Sequence, residues 1–162
     1  MVTRFKVTLF VVLYATIIAV TVPSSASDSW GKYSKIPNRE LKSRALTLVK
    51  GIRELVHSYS RTDRNLTADF DAEYLATRTT ERQTLRDQWR KKIDEAQGAS
   101  VRAYQRDFAS DATLVREELQ RRLPKSLDRR DLPKLYSNPP NVLALEVIAD
   151  DLELLSKSLP DT

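Results

Sequence analysis

The chain of 162 residues contains no cysteine, one histidine and three glycines. Without cysteine, disulfides, zinc–thiolate sites, iron–sulfur clusters and thiolate nucleophiles are excluded. A Ser/His/Asp apparatus would have to use His57, and a site with several histidine ligands cannot form. The carboxylates are numerous, but no spacing pairs any two of them in the manner of a glycosidase. We therefore expect a protein that is not an enzyme and that holds no cofactor and no metal ion.

Strands are not expected either. Three glycines cannot supply many hairpin turns, and no segment alternates apolar and polar residues over the length of a strand. Instead, apolar residues after residue 39 recur at steps of three and four, which is the spacing of helices packed along coiled-coil-like seams. The sequence therefore predicts an all-α fold.

Four helices follow from this spacing and from the residues that interrupt it. The polar stretch 58–67 offers turn and cap chemistry, and Gly98 is a second break. Prolines bound a charged connection that precedes the last helix. The predicted helices cover about 39–60, 68–97, 99–123 and 141–159. With short connections, they predict an antiparallel helical bundle of three to four helices.

Two of these boundaries stay open. Thr80 and Gln83 fit a capping box, so a fresh helix can begin inside 76–84. No proline accompanies Gly98, so a helix can also run through it, and one long helix over 68–123 with the flanking helices packed on it is the rival geometry. Gly51 indicates either a close helix contact or only a locally weaker helix.

The N-terminal segment has the pattern of an export signal. Arg4 and Lys6 precede an uncharged, mostly apolar run at 7–22, which Pro23 ends. Small residues follow, so we expect cleavage after Ala26. The alternative is an uncleaved membrane anchor, although the run is shorter than the roughly 20 residues that span a bilayer as a transmembrane helix.

Both interpretations place the remainder of the chain outside the cytoplasm. Cleavage gives a secreted or periplasmic protein, whereas retention gives a membrane-anchored protein with its N-terminus inside. In the second case Trp30 and Tyr33 suit the membrane interface. Residues 27–38 mix Ser, Gly, Pro and Asn, and are expected to form a flexible tether to a domain at 39–160.

A row of basic side chains is the clearest candidate surface. On a helix, four-residue steps turn about 40° past a full circle, which gives a slowly precessing stripe. Such a stripe could bind anionic lipid headgroups or polysaccharide through charge. Acidic residues interleave with it and no row of exposed aromatics accompanies it, so solvated helix surface is the simpler interpretation and nucleic acid is not expected. Its members are Arg78, Arg82, Arg86, Arg90, Lys91 and Lys92.

Two patterns resemble fragments of metal sites. Glu54 and His57 have the spacing of one half of a di-iron motif, but no second histidine exists to complete it. Asp63 and the alternating polar residues after it begin like a calcium loop, but Ala68 stands where the sharp turn needs glycine. We interpret both as ordinary helix and turn residues.

The last predicted helix is acidic and the preceding ones are basic, so we expect it to pack against them, with its register set by charge. Surplus apolar residues widen the seams, which suits self-association. The expected function is binding of a macromolecular partner, a protein or a second copy, through helix faces. The alternative is peripheral binding of anionic surfaces through the basic stripe. The surplus residues are Val49, Val56, Leu143, Val147 and Leu154.

Overall fold

The structure, a computed structural model, describes residues 31–123 and 132–161. Helices make up 82% of these residues and no strand occurs among them, which confirms the all-α prediction. The expectations for 1–26, including cleavage at Ala26, and those for 27–30 concern residues outside the described ranges. The described residues form the helices α1 (Asn38–Ala76), α2 (Arg82–Asp107), α3 (Ala109–Arg122), α4 (Pro133–Ser137) and α5 (Val142–Ser158).

The predicted turn at 58–67 is wrong, because α1 continues through it. Its hydroxyl side chains donate to backbone carbonyls of the preceding helical turn instead of capping a new helix. Ser60 Oγ donates to the Val56 carbonyl at 3.0 Å, and Thr62 Oγ1 donates to the Ser58 carbonyl at 3.1 Å. The helix instead ends at Ala76, and residues 77–81 connect it to the next helix. This connection lies inside 76–84, where the capping box allows a new helix to begin.

The open boundary at Gly98 is resolved as a continuous helix, since α2 runs to Asp107. The predicted helix 99–123 is instead interrupted at Phe108, whose φ and ψ are −129° and −33°. This kink places the Phe108 ring against Gly51 of α1, where a Cβ atom would lie only 2.5 Å from ring carbon Cε1. Gly51 is therefore a point of close helix contact.

The core lies between α1, α3 and α5, with α4 and the last turns of α2 closing it. Leu41, Ile52, Leu119, Leu145 and Leu152 are fully buried there. The two valines expected to widen the α1 seam are also in this core, at 3% exposure for Val49 and 5% for Val56. They are therefore not available for self-association, and that part of the prediction is wrong.

The expected flexible tether is wrong for its described part, 31–38. Tyr33 is 4% exposed and belongs to the core. The Arg122 guanidinium, at the end of α3, donates to the carbonyls of Tyr33 at 3.0 Å and Ile36 at 2.9 Å. The composition of the segment is that of a linker. The buried Tyr33 ring and the hydrogen bonds from Arg122 to backbone carbonyls nevertheless hold it against the bundle.

The acidic last helix packs against the basic α1 with ion pairs between them, as expected. Arg53 Nη2 on α1 donates to Asp150 Oδ1 at 2.9 Å and to Glu153 Oε2 at 2.5 Å on α5. At the other end, Asn38 Nδ2 donates to the Pro160 carbonyl at 3.1 Å. Because position 38 lies beside 160 and position 53 beside 150, α5 runs in the opposite direction to α1.

The middle of the chain extends beyond this core. α1 has 39 residues and a length of about 58 Å, whereas α5 has 17 residues and a length of about 26 Å. His57 still borders α5 and Tyr59 still packs against the core, but no residue of α1 beyond Tyr59 belongs to the core cluster. We call residues 58–100 the arm and the rest of the described chain the base. Within the arm only Leu85 is buried.

Candidate interaction surfaces

Helix α5 carries a second apolar face in addition to the one in the core. Leu143 is 67% exposed, and Val147 and Leu154 are each 41% exposed. Their spacings of four and seven place them on one line of the helix, opposite the buried line that includes Ile148 and Leu152. We call these three residues the outer row of α5. A helix that is apolar on both sides has more apolar surface than one core covers.

The start of α5 explains why Leu143 is displayed. Pro139 and Pro140 disfavour the helical conformation in the residue that precedes each of them. Asn141 then caps the helix, with its Oδ1 accepting from the Ala144 amide at 2.9 Å. Leu143 therefore lies in the first turn of α5, and it points to the solvent because the opposite side of the helix faces the core. The prediction of a helix at 141–159 is accurate here because capping residues and prolines mark both of its ends.

A charged edge runs beside the outer row. Glu153 accepts from Arg53 and also from Lys157 Nζ at 2.5 Å. Lys157 and then Arg53 hold the pKa of the Glu153 carboxyl below its ordinary value. The edge has three acids and three bases in all, so it is close to neutral. Its members are Glu146, Asp150, Glu153 and Lys157 on α5, with Lys50 and Arg53 on α1.

His57 lies beside this edge, in a notch between α1 and α5. The notch has a volume of about 220 Å³ and is lined by Arg53, Val56, His57, Glu146 and Asp150. A second, shallower depression of about 330 Å³ adjoins it and contains both members of the half di-iron pattern, Glu54 and His57. No group of three or more metal-binding side chains occurs among the residues that the structure describes. The other fragment, at Asp63, lies inside α1 and forms no loop.

The basic row does not form a single stripe. Arg78 lies in the 77–81 connection, outside any helix. Arg82 and Arg86 turn back onto Tyr74, with guanidinium carbons 4.8 Å and 5.2 Å from its ring centroid. Arg82 Nε also donates to the Thr77 carbonyl, and Arg86 donates to the Tyr74 hydroxyl. These two arginines therefore hold the start of α2 against the end of α1, in addition to contributing positive charge.

The remaining members of the row lie further along α2. Arg90 and Lys91 line a shallow cleft that also contains Asp87, Asp94 and Glu95. Lys91 Nζ lies 3.9 Å from Glu95 Oε1. Lys92 is one position further on and therefore about 100° around the helix from Lys91. The acids noted in the sequence thus share the surface with the bases, and the positive potential is divided among several sides of the arm.

The structure also contains a buried polar network that sequence analysis missed. Asp151 Oδ2 accepts from Arg116 Nε at 3.0 Å and from the Tyr136 hydroxyl at 3.0 Å. The side chains of Arg116 and Asp151 are 3% and 2% exposed. The Tyr104 hydroxyl donates to the Tyr136 carbonyl at 2.9 Å, so α2, α3, α4 and α5 are joined. Burial raises the pKa values of Tyr104 and Tyr136, which keeps both hydroxyls protonated as donors.

A signal for this network was present in the sequence. Asp151 stands three residues after Ile148 and four before Leu155, on the apolar side of its helix. A charged residue at such a position indicates a buried partner. Its partner could not be chosen, because several arginines occur on the preceding helices.

The arm has an aromatic cluster of its own. The Phe70 ring centroid lies 5.2 Å from that of Trp89 and 5.3 Å from that of Tyr74. The indole nitrogen of Trp89 is enclosed and has no hydrogen-bond partner among the described residues. Leu75, close by on the other side of α1, is 81% exposed.

Three comparisons set the chain against known proteins. The chain has no match among protein-family models, curated proteins or solved structures. Within residues 31–123 and 132–161, none of the helices combines the length and the apolar character that crossing a bilayer requires.

Proposed function

We propose that this is a non-enzymatic, extracytoplasmic protein that folds as an antiparallel helical bundle and binds a macromolecular partner through the outer row of α5. The observation that carries the proposal is the exposure of Leu143, Val147 and Leu154 on one line of a helix whose opposite face is already buried. Isolated exposed leucines need no explanation, but an aligned apolar row with a charged edge has the composition of a binding surface.

The form of the row points to a protein partner. Apolar residues at spacings of four and seven fit the groove or seam of another helix. The neighbouring edge is nearly neutral, so long-range charge contributes little, and shape and burial supply the binding energy. Export of the chain, cleaved after Ala26 or retained through residues 7–22, places this partner among secreted, periplasmic or membrane-surface molecules.

A photo-crosslinking amino acid at Val147 tests the proposal. In the full chain expressed in its own cells, we expect an adduct that depends on illumination and is lost when Leu143 and Leu154 are both changed to Glu. The matched control places the same amino acid at Thr84, an exposed position of the arm. Equal labelling from both positions, or none from Val147, contradicts the proposal.

A second candidate function is binding of anionic surfaces by the arm, supported by the basic side chains around its end. Arg82 and Arg86 also stabilise the arm through Tyr74, so a clean test leaves them in place. Replacing Arg78, Arg90, Lys91 and Lys92 with Gln should abolish binding to heparin or to vesicles with anionic lipid. Native binding should also fall steeply with salt. Binding that survives these four substitutions excludes this candidate.

A further inference from the structure

The two leucines of the outer row lie near the two ends of α5. A two-fold axis at the midpoint between Ile148 and Ala149 exchanges position 143 with 154, position 147 with 150 and position 146 with 151, so the two leucines pair with each other. From this we propose that the partner is a second copy of this chain, with the two α5 helices packed antiparallel about a two-fold axis at the midpoint. The inference rests on the proposed function and identifies its partner.

The apolar contacts match in this arrangement. A two-fold axis through the midpoint brings Leu143 of one copy level with Leu154 of the other, and does so twice. The two Val147 side chains then lie about 4.5 Å apart along the helix direction, on either side of the axis. In a parallel pairing each leucine would instead meet its own equivalent.

The charged edge matches as well. Arg53 contacts Asp150 and Glu153, which places its guanidinium level with about position 151 of α5. The two-fold axis exchanges position 151 with position 146, so each Arg53 faces the Glu146 of the other copy. Two such Arg–Glu pairs lie along one side of the apolar contact, whereas in a parallel pairing the charged edge of each copy would meet the opposite edge of the other α5.

The size of the contact sets the strength expected. A single pair of 17-residue helices buries less than the roughly 800 Å² per partner of a standard interface. The dimer is therefore expected to be weak and to depend on concentration. Crosslinking captures such a complex better than a measurement of mass at high dilution.

Cysteine crosslinking tests the arrangement with no background, because the chain has no cysteine of its own. Full-length copies that carry two different tags, one with Leu143→Cys and the other with Leu154→Cys, are co-expressed and oxidised. We expect disulfides between the two tags, and also a disulfide-linked dimer from Val147→Cys alone. Leu143→Cys or Leu154→Cys alone should give almost none, because the antiparallel pairing separates equivalent positions by about 16 Å along the helices.

Two controls accompany this test. Leu75→Cys, on the exposed side of the arm, should give no dimer. Glu146→Arg places like charges together and should lower the yield of the mixed disulfide between positions 143 and 154 several-fold, whereas Glu73→Arg, an equal change of charge on the arm, should not. Circular dichroism establishes that each variant remains helical. Disulfides from Leu143→Cys alone, or none from the mixed pair, overturn the proposal.

The result also separates the inference from the proposed function. An adduct at Val147 with twice the mass of the chain supports both. An adduct with a different protein, without the mixed disulfide between positions 143 and 154, leaves the proposed function standing and overturns the second copy as the partner. No adduct and no disulfide means that both fail.

Discussion

The base and the arm are built from the same long helix, yet they differ in how it is covered. In the base, α1 is surrounded by α3, α5 and the turn at 31–37, and Leu41, Ala45 and Ile52 are completely buried. In the arm, α1 has α2 as its partner, and Leu85 is the one buried residue among 58–100. A continuous helix can thus pass from a fully packed to a half-packed environment without a change in its backbone.

The arm should therefore open more easily than the base. Local opening free energies follow the number of buried apolar contacts, and they range from near zero to the global value. The arm instead relies on an aromatic cluster and on two arginines stacked on Tyr74, contacts that contribute about 1 kcal/mol each. Substitutions placed in each of the two regions test this contrast.

The largest effect is expected in the buried network of the base. Asp151→Ala removes the carboxylate that pairs with the buried Arg116 and leaves the Tyr136 hydroxyl with only its longer contact to the Ile148 carbonyl, at 3.3 Å. The free energy of unfolding should therefore fall by about 3–5 kcal/mol. The double variant Arg116→Met, Asp151→Leu removes both charges and should recover most of this loss. Urea unfolding followed by circular dichroism measures both. A single variant as stable as the native chain would show that the network is not closed.

Truncation of a large apolar side chain separates the two regions directly. Ile52→Ala in the base should lower the global free energy of unfolding by about 2–5 kcal/mol, because the side chain is fully buried. Phe70→Ala in the arm should have a smaller global effect, because Phe70 is only partly buried. Hydrogen exchange should speed up only in the arm for Phe70→Ala. Uniform acceleration over both regions would show that they unfold as one unit.

Substitution of the two helical glycines, Gly51 and Gly98, by Ala should change the stability in opposite directions. Gly51→Ala places a methyl group against the Phe108 ring, so it should destabilise by about 1–3 kcal/mol. At Gly98 the nearest atom belongs to the flexible Arg102 side chain, and Gly98→Ala should stabilise by up to about 1 kcal/mol through helix propensity. Thermal unfolding of both variants measures the difference. Stabilisation by Gly51→Ala would contradict the close contact.

The smallest effect concerns pH. In the base, Arg121 and then Arg122 hold the pKa of Glu118 below its ordinary value of 4.5. A lowered pKa in the folded state contributes stability above pH 4.5, and this contribution is lost as pH falls through the folded value. Glu118→Gln should therefore reduce stability at pH 7 by about 1 kcal/mol and flatten the acid side of the curve.

The arm supplies the control for this prediction. Glu95 pairs with Lys91 at a longer distance, and both side chains are largely exposed. Glu95→Gln should change the free energy of unfolding very little, since exposed pairs one helical turn apart contribute little. Unfolding midpoints between about pH 3 and 7 compare the two variants. Equal slopes for Glu118→Gln and the native chain would contradict the role given to Glu118.

Much of the fold could be predicted from the sequence. The steps of three and four identify the helices, and α5 is placed within a residue or so at each end because Pro140, Asn141 and Pro160 mark it. The turn at 58–67 was predicted from residues that can cap a helix, but such residues do not require a cap. The continuing apolar spacing at Tyr59, Leu66 and Phe70 was the stronger signal.

The surfaces were harder to predict than the helices. The exposed row of Leu143, Val147 and Leu154 was identified as surplus, whereas Val49 and Val56 were placed with it although they are buried. Linear spacing gives the phase of a helix but does not show how many neighbours surround it. The position of Arg82 on Tyr74 and of Arg116 on Asp151 depends on contacts between helices, which a single sequence does not specify.

The contact between Arg122 and the turn at 31–37 has a mechanical consequence. One guanidinium binds the carbonyls of Tyr33, Ser34 and Ile36 together with the Asn38 side chain, which ties the entry of the chain to the end of α3. A force applied at residue 31 is thus carried across the bundle by several hydrogen bonds at once. These hydrogen bonds must break together before α1 can separate from the bundle. The domain therefore keeps a fixed orientation relative to the residue at which the force is applied.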